Sequence, residues 1–259
     1  MATELANNIR QVADMLKEAE RVCCMTGAGV SAESGVATFR GHGGLWEGRR
    51  PEEVASPEAF HADPEDVWRF YFWRRKKLAE CKPNPGHYAL ARLEGMIPSF
   101  TLVTQNVDDL HRVAGSERII ELHGNVWINR CTGGHPSDEP PCPDTRVTPD
   151  DVLDEIPHCP KCGAMMRPGV VWFGEMLPSD EFAAAVTAAR DCQVMLVAGT
   201  SAVVHPAASI ATWAADTGAA IVEINPEATP LSSAADYCLT GPSGEILPAI
   251  VEAMSAASA

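Results

Sequence analysis

The chain has 259 residues, a net charge of −15, and 46% hydrophobic against 21% charged residues. That length holds one large core with a small appended lobe. No run approaches the roughly 18 apolar residues of a membrane helix, and the negative charge argues against nucleic acid, whose phosphates call for Lys and Arg.

In chain order, Ile9, Val12, Ala13, Leu16 and Ala19 recur at helical spacing, so residues 1–20 read as an amphipathic helix and not as a secretory signal. Short apolar runs read as buried strands at 22–25, 101–104, 119–122, 194–198, 220–224 and 237–239. Helical patterns fill most gaps, notably 181–189, 207–215 and 244–254. Nine cysteines is an odd number, and Cys23-Cys24 lies inside the first apolar run. That fits buried thiols in a reducing cytoplasm better than a disulfide framework.

Two segments break the rhythm. Residues 41–85 carry a helical pattern over 66–80 but no strand, and residues 131–167 are rich in Pro, Asp, Cys and Gly. A segment of the second kind buries too little apolar surface to offset its ordering entropy, and needs a staple. The expected fold class is α/β: a Rossmann-like, doubly wound, mainly parallel sheet with a smaller zinc-ribbon and helical domain inserted. The large domain takes residues 1–40, 86–128 and 168–259, the small one 41–85 and 129–167.

The first strand runs into Gly27-Ala28-Gly29-Val30-Ser31-Ala32, which matches G-x-G-x-x-A between a strand and a helix. Glycines there let backbone N–H groups approach a pyrophosphate; the same residues also suit a tight turn with no ligand. No acidic residue at the end of a following strand stands out as a dehydrogenase's ribose ligand. Phe39-Arg40 follows instead, then the glycine-rich loop Gly41-His42-Gly43-Gly44-Leu45-Trp46, suited to closing over a cofactor. Gln105-Asn106-Val107-Asp108 lies just past a strand, where ligands bind in an open parallel sheet, although Asn106 and Asp108 also suit a helix cap. His123 follows another strand. A lone His is more often a structural hydrogen-bonder than a base, yet it titrates near neutrality as a general base must.

Together these segments resemble the sirtuin family. The chain carries that family's GAG-[IV]-S-x-x-S-G-[IV]-x-x-FR segment at 27–40, departing at Ala37 where proline is usual. It carries QN-[IV]-D at 105–108, LHG at 122–124, V-x-FGE at 171–175, GTS at 199–201 and an asparagine after the next strand at Asn225. The resemblance implies NAD-dependent removal of acyl groups from protein lysines, giving nicotinamide and O-acyl-ADP-ribose. It implies NAD bound by Gly27, Ala28, Gly29, Ser31, Phe39, Arg40, Trp46, Gln105, Asn106, Asp108, Gly199, Thr200, Ser201 and Asn225. His123 is then the general base, with Asn106 also catalytic. The acyl-lysine protein or peptide is expected as an added strand beside Val171, Phe173, Gly174 and Glu175.

Cys159-Pro160-Lys161-Cys162-Gly163 is a knuckle of the kind that holds structural zinc. The family pairs it with an earlier C-x-x-C, broken here because Cys131-Thr132-Gly133-Gly134 has glycine in the second slot. One Zn2+ on Cys131, Cys159, Cys162 and Cys142 is the expected set; His135 is the other substitute, and a lobe without zinc the opposing reading. Tyr71 and Arg74 share a helix face at i, i+3. By themselves they read as a packing aromatic and a solvated cation in the basic run Arg74-Arg75-Lys76-Lys77. In the family's desuccinylase-type branch, however, a Y-x-x-R pair grips acidic acyl groups. Ala55 matches a small residue that widens that branch's pocket, and Thr38 stands where other branches have Asp. The implied preference is succinyl, malonyl or glutaryl, with acetyl also accepted. The alternatives are a plain deacetylase or mono-ADP-ribosyltransferase, and a non-catalytic NAD-binding or zinc-ribbon module. An intact His123 and Asn106 speak against the last.

Overall fold

The computed structural model describes residues 2–37, 50–133, 142–151 and 154–256; Thr38, Phe39, Arg40, Trp46 and His135 lie outside them. Helix α1 (Ala2–Glu18) buries Val12, Ala13 and Leu16 and leads into β1 (Arg21–Thr26). After the short α2 (Ala28–Ala32) come α3 (Pro57–Ala62), α4 (Pro64–Ala79) and α5 (Pro85–Met96). The last three each begin on proline behind a capping side chain, Ser56, Asp63 or Asn84, where the missing N–H is one the helix leaves unbonded anyway. Next are β2 (Ser99–Thr104), α6 (Leu110–Val113), β3 (Ile119–Glu121), β4 (Gly124–Cys131), β5 (Thr145–Arg146) and β6 (Met166–Val170). The remainder holds α7 (Ser179–Asp191), β7 (Val194–Ala198), α8 (Ser209–Asp216), β8 (Ala220–Asn225), β9 (Tyr237–Thr240) and α9 (Ser243–Ala256).

Six strands form one parallel sheet in the order β3-β2-β1-β7-β8-β9. Alternate side chains enter two separate cores. Val22, Cys24, Leu102, Leu196 and Val222 pack with residues of α1, α5 and α9. Cys23, Met25, Val103, Met195 and Ile221 pack with residues of α7 and α8. Burial on both faces is why these strands read as continuous apolar runs. The winding moves outward from β1 in one direction and from β7 in the other, which opens a crevice at the carboxyl ends of those two strands.

A second sheet, antiparallel in the order β5-β4-β6, carries α4 on its surface. Trp68 Nε1 donates to the Met166 carbonyl at 2.9 Å, and Arg75 donates to the Val126 carbonyl at 2.8 Å and Asn129 Oδ1 at 2.7 Å. The expected domain boundaries at 128/129 and 167/168 fall inside β4 and β6 of the small sheet. Residues 171–175, which carry the V-x-FGE motif, make a turn, with Gly174 at φ 87° and Glu175 N donating to the Trp172 carbonyl at 3.0 Å. The basic run at 74–77 is also not a surface patch: Arg74 and Arg75 are 8% and 3% exposed. Among the described residues no helix is long and apolar enough to cross a membrane.

Candidate active site

A cavity of about 1060 Å³ opens along the carboxyl ends of β1, β2, β7 and β8 and reaches α4 and the 171–177 segment. That volume is typical of sites for small organic ligands. From the large sheet it is lined by Gly27, Ala28, Gly29, Gln105, His123, Gly199, Thr200, Ser201 and Asn225. From the other side come Ala55, Tyr71, Arg74, Val171, Trp172, Phe173, Gly174 and Glu175.

The loops on the sheet side lock one another. Gly29 N donates to the Gly199 carbonyl at 2.8 Å and Gly27 N to the Ala198 carbonyl at 3.1 Å. A Cβ at residue 27 would lie 2.8 Å from Thr200 Cβ, and one at residue 29 would lie 2.7 Å from the Gly199 carbonyl oxygen. These glycines therefore serve a close approach of two protein loops, and their amides are already engaged rather than free for a pyrophosphate. Gln105 Nε2 donates to Thr200 Oγ1 at 3.0 Å and Asn225 Nδ2 to the Thr200 carbonyl at 2.8 Å, so both brace the 199–201 loop.

Ser31, Asn106 and Asp108, expected to touch the cofactor, lie behind this wall and are 0%, 7% and 6% exposed. Ser31 Oγ donates to Asp108 Oδ2 at 2.7 Å and receives Asn106 Nδ2 at 3.1 Å. Asn106 Nδ2 also reaches the Gly27 carbonyl at 3.0 Å, and Leu110 N donates to Asp108 Oδ1 at 2.9 Å. Burial raises the Asp108 carboxyl above its usual range, against those hydrogen bonds and the charge of Arg74.

Sequence reasoning missed two members of this network. His87 Nδ1 receives Asn84 N at 3.2 Å, which leaves Nε2 to donate to Ser31 Oγ at 3.3 Å. His111 Nε2 lies 3.0 Å from Thr26 Oγ1, which donates onward to Thr104 at 2.9 Å. Burial lowers His87 to about 4; burial and then the neighbouring His87 lower His111 to about 3.

His123 stands where the chain crosses from the large sheet to the small one. The crossing needs Gly124, which sits at φ 73° and whose Cβ would lie 2.2 Å from the Gly169 carbonyl oxygen. His123 Nδ1 is 3.0 Å from the Gln105 carbonyl. A carbonyl only accepts, so Nδ1 carries the hydrogen and Nε2 is left as a bare lone pair, with no partner among the described residues. Burial lowers its pKa below the ordinary value of 6.5, with the Gln105 bond opposing, so the ring is neutral at pH 7.

Across the cavity Tyr71 and Arg74 are both buried. Trp172 Nε1 donates to the Tyr71 hydroxyl at 2.9 Å, and the hydroxyl's own hydrogen finds no acceptor among the described residues. Arg74 Nε has no partner there either. Burial lowers the Arg74 pKa while Tyr71 and Asp108 oppose it. Glu175 is engaged elsewhere: Arg167 grips it with bonds of 2.5 and 2.9 Å, and Trp172 N donates to it at 2.8 Å. Phe173, Met176, Val203 and Val204 form an exposed apolar rim.

Away from the cavity, the sulfurs of Cys131, Cys142, Cys159 and Cys162 lie within 4.8 Å of one another. A tetrahedral zinc with bonds of about 2.3 Å wants sulfurs roughly 3.8 Å apart. Backbone amides of Cys162 and Lys161 help pull Cys159 down to about 6, and Gly133 N donates to Cys131 Sγ at 3.3 Å. Four thiols at this spacing, Cys159 among them already favoured as a thiolate, fit a structural Zn2+, and Cys142 fills the slot that glycine vacates.

The family model described as "Sir2 family" matches residues 27–206. An NAD-dependent protein deacylase of Pyrococcus furiosus is 47% identical, over 93% of this chain and 96% of its own. NAD-dependent protein deacylase 1 of Pseudomonas aeruginosa is 45% identical, over 94% and 98%. A solved Sir2 homologue in complex with NAD superimposes with a TM-score of 0.86 at 45% identity, over 96% of this chain and 94% of that one. A Sir2 protein bound to a myristoylated histone peptide gives 0.76 at 33% identity, over 97% and 98%. With the family model matching most of the chain and relatives 47% and 45% identical over 93% and 94% of it, this protein belongs to the Sir2 family.

Proposed function

We propose that this chain is an NAD-dependent protein lysine deacylase that favours acidic acyl groups, namely succinyl, malonyl or glutaryl, over acetyl. The reaction is supported by relatives named NAD-dependent protein deacylases and by a Sir2 neighbour that holds NAD. The acyl preference rests on one observation: the Tyr71 O–H and Arg74 Nε are buried hydrogen-bond donors that find no acceptor among the described residues. An ionised carboxylate is acceptor only and completes such a wall.

The sheet side of the cavity suits NAD, with Gln105, Thr200, Ser201 and Asn225 offering amide and hydroxyl groups beside the Gly27-Ala28-Gly29 turn. Bound there, NAD would supply nicotinamide as the leaving group and a ribose hydroxyl to take the acyl group as O-acyl-ADP-ribose, one water completing release of the free lysine. The protein's own part is to orient the acyl amide, shield it from water and move a proton. His123 Nε2 accepts a hydroxyl proton from the sheet side, and the Nδ1–H bond to the Gln105 carbonyl steadies the imidazolium that results. Asn106, Ser31 and Asp108 act from behind the wall by holding the Gly27 carbonyl and the loop around it. The rim of Phe173, Met176, Val203 and Val204 receives the peptide. The amides of Val171, Trp172 and Phe173 are already bonded to His123, Glu175 and Ala55, so an added strand must find its partners beyond them.

The test is nicotinamide release from acetyl-, succinyl-, glutaryl- and myristoyl-lysine peptides. Succinyl kcat/KM should exceed acetyl on the order of 10²-fold, because an acetyl group leaves the buried donors unpaired. Arg74→Met should cut succinyl turnover at least about tenfold more than acetyl. Equal kcat/KM for the two acyl groups in the wild type would leave a plain deacetylase.

A further inference from the structure

We propose that Trp172 is the positioning residue for acyl selectivity: its indole N–H turns the Tyr71 hydroxyl so that the phenol donates to the substrate's carboxylate. This inference rests on the acidic-acyl reading above.

A phenol oxygen both donates and accepts, and its hydrogen rotates to suit its neighbours. At Tyr71 one direction is taken, because Trp172 Nε1 donates into the oxygen from 2.9 Å. A hydrogen pointed at that donor would face another hydrogen. Arg74 also makes a side-chain hydrogen bond to Tyr71; a guanidinium only donates, so it too is received by the phenol oxygen and cannot take the phenol's hydrogen. The O–H is thus left to point away from Trp172, with no protein acceptor among the described residues. Tyr71 and Arg74 line the same cavity, so one carboxylate there can receive both. Without the indole N–H only Arg74 still donates to the oxygen, so the phenol's hydrogen is less fixed and a lone pair faces the carboxylate for part of the time, which repels it.

The indole is in turn held on every side. The Arg167 guanidinium lies 3.5 Å from the centre of its ring, and the Phe60 ring stands 5.2 Å away. Arg167 forks onto Glu175, and Glu175 Oε2 receives the Trp172 backbone N–H, which closes a clasp around the residue. Trp172 is 3% exposed and Tyr71 1%, so water competes little for this bond. The clasp also explains Glu175, whose carboxylate anchors the indole rather than meeting the substrate.

The experiment is a double-mutant cycle on the ratio of succinyl to acetyl kcat/KM, using wild type, Trp172→Phe, Tyr71→Phe and both together. Phe keeps most of the ring and removes the donor. The ratio should fall about tenfold in each single variant, and the double variant should match Tyr71→Phe alone, since Trp172 acts only through that hydroxyl. Independent, multiplying losses would overturn the proposal, as would an unchanged ratio in Trp172→Phe. A wild-type ratio near one would instead overturn the acidic-acyl reading and this inference with it. If Trp172→Phe folds poorly, benzothienylalanine at position 172 replaces the N–H with sulfur in nearly the same shape, and the same cycle applies.

Discussion

Two buried polar clusters flank the cavity and differ in how their hydrogen bonds end. In the first, Ser31, Asn84, His87, Asn106 and Asp108 bond to one another and to the backbone of Gly27 and Leu110. In the second, Tyr71 and Arg74 are buried to a similar degree, yet donors remain that no described residue receives. An unpartnered buried polar group costs roughly 1–3 kcal/mol. His111 Nδ1, Ser116 Oγ and Ser243 Oγ are also buried without a partner among the described residues, but of the residues with such atoms Arg74 alone lines the cavity, which separates two roles. The closed cluster fixes the loops that shape the cavity, and the open one waits for an acceptor that arrives with the substrate.

The largest way to test that division is to remove the group that stands between the clusters. His123→Ala should lower kcat by about 10²–10⁴-fold while NAD affinity, measured by calorimetry, changes little. In the wild type the acidic limb of kcat/KM should lie below pH 6.5, because protonation of Nε2 removes the base as pH falls. A variant that keeps most of its turnover would return His123 to a structural role.

The closed cluster and the adjoining His111, whose Nδ1 has no partner among the described residues, should reveal themselves in stability. His87 and His111 titrate near 6.5 when unfolded but at about 4 and about 3 when folded. The unfolded chain therefore binds protons first as pH falls. Stability from this source is complete above pH 6.5, drains away between 6.5 and about 4, and levels off below about 3. A tenfold difference in proton affinity between the two states is worth about 1.4 kcal/mol, so the loss is on the order of 3–5 kcal/mol for each ring. Thermal melts across that range should show it, and His111→Gln should flatten the curve. A melting temperature that is flat from pH 7 to 4 would mean that these rings are solvated.

The smallest effect on acyl choice should come from the four cysteines. Protein purified without chelator should contain one zinc per chain, and stripping it should lower the melting temperature. The succinyl-to-acetyl ratio should stay within about twofold, because no cysteine lines the cavity and distant sites act independently. A collapse of the ratio would tie the lobe directly to the acyl pocket.

The large sheet was legible because its strands are buried on both faces and so appear as unbroken apolar runs such as Val194–Ala198. The small sheet was not, because β4 mixes Asn125, Asn129 and Arg130 into its apolar residues and β5 is two residues long. Helix α3 had a readable start, with Ser56 capping and Pro57 at the first position, but its six residues are too few for a periodic pattern. In the site, His123 and Asn225 followed from strand ends and motifs. The burial of Arg74 did not, because a basic run on a helix reads as solvated until the small sheet and the 171–175 turn are packed over it. His87 and His111 carry no local signal; they meet only in three dimensions, with ring centres 4.8 Å apart.

The clasp around Trp172 has an optical consequence. Of the tryptophans among the described residues, Trp172 alone lines the cavity, and a guanidinium is stacked on its ring. A cation held that close perturbs the excited state of an indole, and the phenol that shares its N–H is the group a carboxylate would engage. Subtracting the emission spectrum of Trp172→Phe from that of the wild type isolates this one fluorophore. The difference spectrum should shift when a succinyl-lysine peptide is added and stay still with an acetyl one, so the protein carries its own reporter of which acyl group has entered.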